Sequence, residues 1–289
     1  MDYMDKNLTL SEWLKTNKMM LIFVCLAIIA LFYTPFAYMV TEWRARIAGS
    51  YTPGPFVPLV SGYIIWQKRH ELAKLVLSPT KWGYFVICLA LILHVLAQIG
   101  DLQRISIMAF IIFTGGIMLV MLGGQVTYRL LFPLCFLVFM VPMEFLDGLI
   151  GVKLRMIASQ WAAIILDLLG YSIIRIGTQI EMIGIFSFDV AAPCSGLKSL
   201  VSLTALGIAF AYLTQKSQWK RALIAVSALP IAIIANVFRV VLIGLIAASL
   251  GKDMALGFFH SFSGFFLFTF ALLALTGIGR LLSWQIKNL

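Results

Sequence analysis

Three residues in the second half of the chain could carry out thiol chemistry together: Cys194, Arg239 and His260. Cys194 lies in Ala191-Ala192-Pro193-Cys194-Ser195-Gly196, where a polar, strand-like stretch gives way to an apolar helix. A cysteine just before a helix N-terminus meets unpaired N–H groups and the positive end of the helix dipole. Both favour the thiolate over a free thiol of ordinary pKa about 8.5. Ser195 can cap that helix, and Lys198 adds a positive charge nearby. The other cysteines, Cys25, Cys88 and Cys135, fall within hydrophobic runs and read as inert small hydrophobes. The plain alternative for Cys194 is a small residue in a tight turn shaped by Pro193 and Gly196.

An arginine within a membrane helix costs at least about 2.5–3.5 kcal/mol on insertion scales. Arg239 sits in Asn236-Val237-Phe238-Arg239-Val240-Val241, and the apolar runs beyond Cys194 contain no Asp or Glu to pair with it. That aims Arg239 at a polar cavity, with a snorkelling side chain as the alternative. Asn236, one helical turn earlier, can orient Arg239 or a substrate carbonyl. His260 follows the aromatic turn Gly257-Phe258-Phe259 and precedes Ser261 and Ser263. A thiolate, a cationic hydrogen-bond donor and a proton carrier are the parts needed for acyl transfer through a thioester. His70 belongs to a solvated basic loop and His94 is a packed or pore-lining residue. Neither has the spacing of a zinc site such as HExxH, so no metal and no cofactor is expected.

The elements that must position these residues are set by lipid. The chain is 62% hydrophobic and 12% charged over 289 residues, with a mean hydropathy of +0.99. A soluble domain holds roughly a quarter charged residues, so the composition describes an all-α polytopic integral membrane protein. Apolar runs near the roughly 20-residue length of a bilayer span fall at 19–40, 56–66, 82–99, 105–122, 130–141, 199–213, 222–250 and 261–282. That gives about eight transmembrane helices. The second and fifth runs are short and are bounded or interrupted by Pro55, Pro58, Pro133 and Pro142, so they are tilted, extended or re-entrant. The first run is longer than the apolar region of a signal peptide and reads as a retained anchor. No internal repeat or long linker interrupts the chain, so residues 1–289 are read as one integral membrane domain.

The net charge of +10 would suit a nucleic-acid partner until the charges are mapped. Lys6, Lys15, Lys18, Lys68, Arg69, Lys74, Lys81, Arg129, Lys216, Lys220, Arg221, Arg280 and Lys287 all fall on one set of alternating loops. The other set carries only Arg44, Arg46, Arg104 and Lys252 among short loops. The positive-inside rule then puts both termini in the cytoplasm of a multi-pass protein of the cytoplasmic membrane. The basic balance is explained by topology and by anionic lipid headgroups, and no nucleic-acid role is expected. Cys194, Arg239 and His260 all fall toward the extracytoplasmic face.

Residues 144–198 form the largest piece outside the spans, an extracytoplasmic cap that leads to Cys194. Leu146, Leu149, Ile150, Leu154, Ile157, Trp161, Ile164, Ile165 and Leu168 share one helical face. This pattern suits a helix lying in the membrane surface or, alternatively, one packed in the bundle, with Gly170 as its stop. Residues 172–176 and 179–183 flank Gly177-Thr178 and predict a short β-hairpin. Phe186, Phe188 and Val190 then alternate up to Cys194.

Residues 190–280 resemble the exosortase/archaeosortase family of membrane-embedded cysteine transpeptidases. Three blocks carry the resemblance: Ala192-Pro193-Cys194-Ser195-Gly196-Leu197-Lys198-Ser199-Leu200, Asn236-Val237-Phe238-Arg239-Val240-Val241 and Gly257-Phe258-Phe259-His260-Ser261-Phe262-Ser263-Gly264. Pro55-Phe56-Val57-Pro58-Leu59 followed by Tyr63-Ile64-Ile65-Trp66 looks like the family's second segment. The resemblance implies that Cys194 is the nucleophile, Arg239 the oxyanion stabiliser and His260 the general acid and base, with Ser195, Gly196 and Asn236 in support. It implies exported substrate proteins with a C-terminal sorting signal: a short Pro-containing motif (PEP-CTERM in Gram-negative bacteria), a membrane helix and a basic tail. It also implies transfer to a lipid or glycan acceptor, linked to exopolysaccharide and cell-surface assembly. The further soluble C-terminal domain of some exosortases is not expected here.

Two other classes fit the residues without that resemblance. One is a membrane transporter in which Arg239 binds an anion. The other is a non-catalytic assembly factor for exopolysaccharide export. A transporter needs no nucleophile and should keep working with Cys194→Ser, and an assembly factor should tolerate changes at all three residues.

The loop charges yield a direct expectation. A reporter fused after Lys216 or Leu289 reads cytoplasmic, and one inserted near Thr178 reads extracytoplasmic. The reversed pattern in alkaline phosphatase and fluorescent-protein fusions would place the three residues inside the cell.

Overall fold

The computed structural model describes residues 9–47, 54–142, 150–190, 196–255 and 260–287. They are mostly helical and divide into two compact units. Four helices are long and apolar enough to cross a membrane: Trp82–Ile99, Gln103–Met121, Gln218–Leu250 and a stretch at Gly264–Leu282. A fifth span arises if the bent pair Leu10–Thr16 and Lys18–Leu31 counts as one. The chain is thus a multi-pass membrane protein. Three further apolar helices, Phe56–Gln67, Gly124–Met140 and Leu200–Thr214, are shorter.

The first unit opens with α1 (Leu10–Thr16), whose Thr9 and Glu12 cap each other's backbone in a reciprocal box. The Thr9 hydroxyl and N–H hold the Glu12 carboxyl below its ordinary pKa. Helix α2 (Lys18–Leu31) leaves α1 at 81°. The apolar run expected at 19–40 is not one continuous helix. It breaks at Phe32, and α3 (Tyr33–Ile47) follows. Pro35 explains the break, because it has no N–H for the Leu31 carbonyl and its ring crowds that group. Then come α4 (Phe56–Gln67), α5 (Arg69–Leu72), α6 (Trp82–Ile99), α7 (Gln103–Met121) and α8 (Gly124–Phe136), which tightens into a 3₁₀ turn at Leu137–Met140.

Phe32 is fully buried, with its ring centroid 4.5 Å from that of His94. His94 is a packed residue: its Nδ1 lies 2.6 Å from the Ser106 hydroxyl. Helices α6 and α7 meet so closely that a methyl group on Gly83 would stand 2.7 Å from the Gly116 carbonyl oxygen. Such backbone proximity is how membrane helices gain contact where hydrophobicity cannot drive them together. The short α4 is held to α8 by the Ser61 hydroxyl, which donates to the Pro133 carbonyl at 3.0 Å.

The second unit is built on α11 (Gln218–Leu250), which packs with α9 (Val152–Leu168), α10 (Gly196–Thr214), α12 (Lys252–Met254) and α13 (His260–Lys287). A three-stranded antiparallel sheet completes it: β1 (Ile173–Ile176), β2 (Gln179–Met182) and β3 (Phe186–Asp189), in that order. The expected two-stranded hairpin therefore gains a third strand from the alternating residues before Cys194. The turn Gly177-Thr178 carries a positive φ of 63° at Gly177, which a two-residue hairpin of this kind requires. The Ser159 hydroxyl of α9 donates to the Gly177 carbonyl at 3.1 Å and ties helix to turn.

Helix α9 buries a different stripe from the one its large residues suggest. Ala158, Ser159, Ala162 and Leu166 are buried, while Ile157, Trp161, Ile164 and Leu168 stay exposed. Small residues win this face because α9 lies close on α11: a methyl group on Gly244 would stand 3.0 Å from Leu166. The helix packs by its small face and leaves its large apolar face outward. It ends at Leu168, and Gly170 follows with φ +93°, a conformation that favours glycine.

Two cores share α11. Leu203, Ala211, Ile224, Ala228, Ala232, Ala235, Leu267 and Leu275 pack α10, α11 and α13 together. Ile180, Met182, Phe188, Val190, Val237, Val240, Val241 and Ala247 pack the sheet and α9 on the C-terminal half of α11.

A close helix approach in the second unit supplies a stability test. A methyl group at Gly207 would run into the Ala228 Cβ. Gly207→Val should therefore force α10 and α11 apart at a cost of about 1–3 kcal/mol. The expected result is a lower Tm in detergent than wild type. An unchanged Tm would mean that the helices do not meet there.

Candidate functional site

The packing of α10, α11 and α13 fixes the heights of the residues along them. Gly207, Ala228 and Leu275 share one level: a methyl group on Gly207 would clash with Ala228 and lie 3.7 Å from Leu275 Cδ1. A second level lies deeper, where a methyl group on Gly279 would meet Phe210 Cε1 at 3.7 Å and Ile224 Cδ1 at 3.8 Å. Gly196 is eleven residues from Gly207 along α10, Arg239 eleven from Ala228 along α11, and Gly264 eleven from Leu275 along α13. At about 1.5 Å per residue, all three stand roughly 16 Å from the common level, on the same side. His260, the first residue of α13, lies one further turn out.

The structure therefore brings the start of α10, Arg239 and the start of α13 to one end of this helix group. Cys194 and Ser195 lie outside the described residues, as does the side chain of His260. Arg239 is half-buried. It sits between Phe238, which faces outward and tilts over Phe270 of α13 at 5.8 Å, and Val240, which is fully buried. Val237 and Val240 bracket Arg239, and they share a core with Val190, which lies one residue past the end of β3. Arg239 thus stands where α11 passes from its helix partners to the sheet.

Asn236 is 5% exposed, and its Oδ1 is buried with no hydrogen-bond partner among the described residues. Leaving such an atom unpaired costs about 1–3 kcal/mol, and a buried polar group without a partner calls for an explanation. Ser202 on α10 is 3% exposed, and its hydroxyl too has no partner among the described residues. The sequence reading missed Ser202. Hydroxyls on apolar helices commonly donate back one turn, as Thr214 does to Phe210 at 2.7 Å, Ser249 to Leu245 at 2.8 Å and Thr276 to Leu272 at 2.7 Å. Ser202 departs from that habit, and only the folded arrangement reveals it. Among the described residues no three of His, Cys, Asp or Glu converge as metal ligands.

A family model described as Transmembrane exosortase (Exosortase_EpsH) matches residues 43–277. The chain belongs to this family. The match covers most of the sequence and includes every residue of the candidate site. No curated protein and no solved structure matches the chain. Exosortases are generally membrane cysteine transpeptidases that act on exported proteins with C-terminal signals. Of the two buried polar groups, Asn236 belongs to the second sequence block, and Ser202 lies beyond the three blocks.

The Asn236 Oδ1, without a partner among the described residues, leads to a prediction about stability. Replacing an unsatisfied buried polar group with an apolar one of similar shape is close to neutral or stabilising. Asn236→Leu should melt within a few degrees of wild type, or above it. A large loss of folded protein would show that Asn236 serves the fold.

Proposed function

We propose that this exosortase cleaves the C-terminal sorting signal of exported proteins with Cys194 as nucleophile and passes the acyl group to a surface acceptor. One observation carries this reading: the start of α10 two residues after Cys194, Arg239 on α11 and His260 at the start of α13 come to one end of a single helix group. The three residues belong to separate segments of sequence, and chain proximity alone would not align them.

The chemistry proceeds in two halves. The Cys194 thiolate adds to the carbonyl carbon of the scissile peptide, and the carbonyl oxygen becomes an oxyanion. The Arg239 guanidinium donates hydrogen bonds to that oxygen, an effect commonly worth about 3–4 kcal/mol for one good donor. Protonated His260 gives its proton to the leaving amine as the C–N bond breaks, which leaves a thioester on Cys194 and a neutral imidazole. An acceptor amine or hydroxyl of a lipid or glycan then attacks the thioester. His260 takes its proton, and the thiolate departs. Lipid around the site limits water and favours transfer over hydrolysis. Asn236 and Ser195 support the arrangement, and Gly196 lets the chain turn into α10.

In this reading the two compact units are one integral membrane domain, a view supported by a family match that runs through both. The short helices α4, α8 and α10 complete eight spans with α2, α6, α7, α11 and α13. The Ser61 to Pro133 hydrogen bond supports it, since a short helix in lipid needs a protein neighbour. The loop charges support cytoplasmic termini in the cytoplasmic membrane. They put the sheet and α9 in an extracytoplasmic cap with the active site beside it.

The test follows a tagged host protein that ends in a Pro-containing motif, an apolar helix and a basic tail. Cys194→Ala abolishes its processing at normal protein level. Arg239→Lys, which keeps the charge but loses the planar fork of donors, and His260→Ala each reduce it at least a hundredfold. Double changes add little to the worst single one, because the groups act as a unit. A membrane-impermeant maleimide labels Cys194 in intact membranes. Cys25, Cys88 and Cys135 stay unlabelled, since they lie on the outer faces of apolar helices. Undiminished processing by Cys194→Ala would rule out thiol catalysis.

A further inference from the structure

We propose that the outer edge of β3 binds the exported substrate as an added fourth strand and so delivers its scissile carbonyl to the catalytic end. The proposal rests on the transpeptidase reading above and names how that site holds its substrate.

The register shows which backbone groups face outward. The Val190 N–H donates to the Thr178 carbonyl at 3.1 Å. In an antiparallel ladder the bonded pairs recur every second residue. The pairs Ile180↔Phe188 and Met182↔Phe186 therefore turn the backbone of Phe186, Phe188 and Val190 toward β2. Ser187 turns its N–H and C=O to the opposite side. It is exposed, and among the described residues it makes no backbone hydrogen bond beyond the sheet. Beneath it the stacked rings of Phe186 and Phe188, 4.9 Å apart, brace the strand.

The sheet has a second edge on β1. Ile183 N–H donates to the Ser172 carbonyl at 3.0 Å, and Ile174 pairs with Glu181. By the same alternation, Ile173 and Arg175 face outward there. That edge leads into the hairpin turn at Gly177. The β3 edge leads to chemistry: five residues past its end the chain reaches Cys194. Five residues reach at most roughly 17 Å when extended. Val190 lies on the way and is fully buried in the core that holds Val237 and Val240 on either side of Arg239. A peptide laid along β3 is thereby indexed both to the nucleophile's segment and to the cation. Strand addition draws affinity from main-chain hydrogen bonds, so one edge can serve exported proteins of differing sequence.

Proline at Ser187 separates this role from the fold. It removes the outward N–H and leaves every bond to β2 in place. With the tagged host protein above, Ser187→Pro is expected to reduce processing at least tenfold, while maleimide labelling of Cys194 stays at the wild-type level. Arg175→Pro, the matching change on the β1 edge, should process within twofold of wild type. Ser187→Pro within twofold of wild type, with Cys194→Ala inactive, would overturn strand addition and leave thiol catalysis standing. Both variants active would instead remove the transpeptidase reading. A photo-crosslinker at position 187 in the Cys194→Ala background does not depend on the proline variant folding. It should capture the tagged protein, and one at position 175 should not. Capture of a second copy of the chain, or of nothing, would overturn the proposal.

Discussion

One continuous helix, α11, constrains everything around it. Its 33 residues make a rod about 50 Å long, well beyond a hydrocarbon core of about 30 Å. No single set of partners covers such a length. Up to Ala235 its buried residues pack with α10 and α13, and from Val237 they pack with α9 and the sheet, while the exposed Phe238 still meets Phe270 of α13. The helical hydrogen-bond ladder does not break at that change, so a shift in one core is transmitted to the other through a stiff element. Pro230 removes one bond from the ladder within the first core.

The change of partners is also where polarity collects. Asn236 occupies the boundary position itself, with a buried oxygen that has no partner among the described residues, and Arg239 stands one turn beyond it. A sequence optimised for stability alone would place apolar residues at both. Their position at the join of two cores is the kind of local cost to stability that the proposed site would account for. The apolar surroundings raise the strength of any hydrogen bond made there to an incoming group.

Long uniform segments were legible in the sequence, and features set by contact were not. The run at 82–99 coincides with α6, and 222–250 differs from α11 only at its start, because hydropathy over a full span leaves little freedom. The helix expected from 130 begins instead at Gly124. Its first turns are stabilised by Val126 and Leu130 packing on Leu10 and Leu72, distant in sequence. For α9 the hydrophobic pattern weighs size, whereas close packing on α11 selects small residues. At the candidate site the residue types suggested acyl-transfer chemistry, which stands as the proposed reading of the site. The common height of Gly196 and Arg239 depends on the fit of Gly207 against Ala228, which no spacing encodes. The third strand was visible as an alternation, but its edge register was not.

The bend after α1 bears on how the protein is made. The Leu10 N–H donates to the Leu75 carbonyl at 2.9 Å and the Ser11 N–H to the Ala73 carbonyl at 3.3 Å, while Leu10 is buried with Leu72, Val126 and Leu130. Leu130 joins the chain 120 residues after Leu10, which takes roughly 6–24 s at ordinary bacterial synthesis rates of about 5–20 residues per second. Leu72, Ala73 and Leu75 supply part of the seat of α1 earlier in that interval, and Val126 and Leu130 complete it. Helix α1 is thus made well before the last part of its seat, and its capping box favours the helix in the meantime.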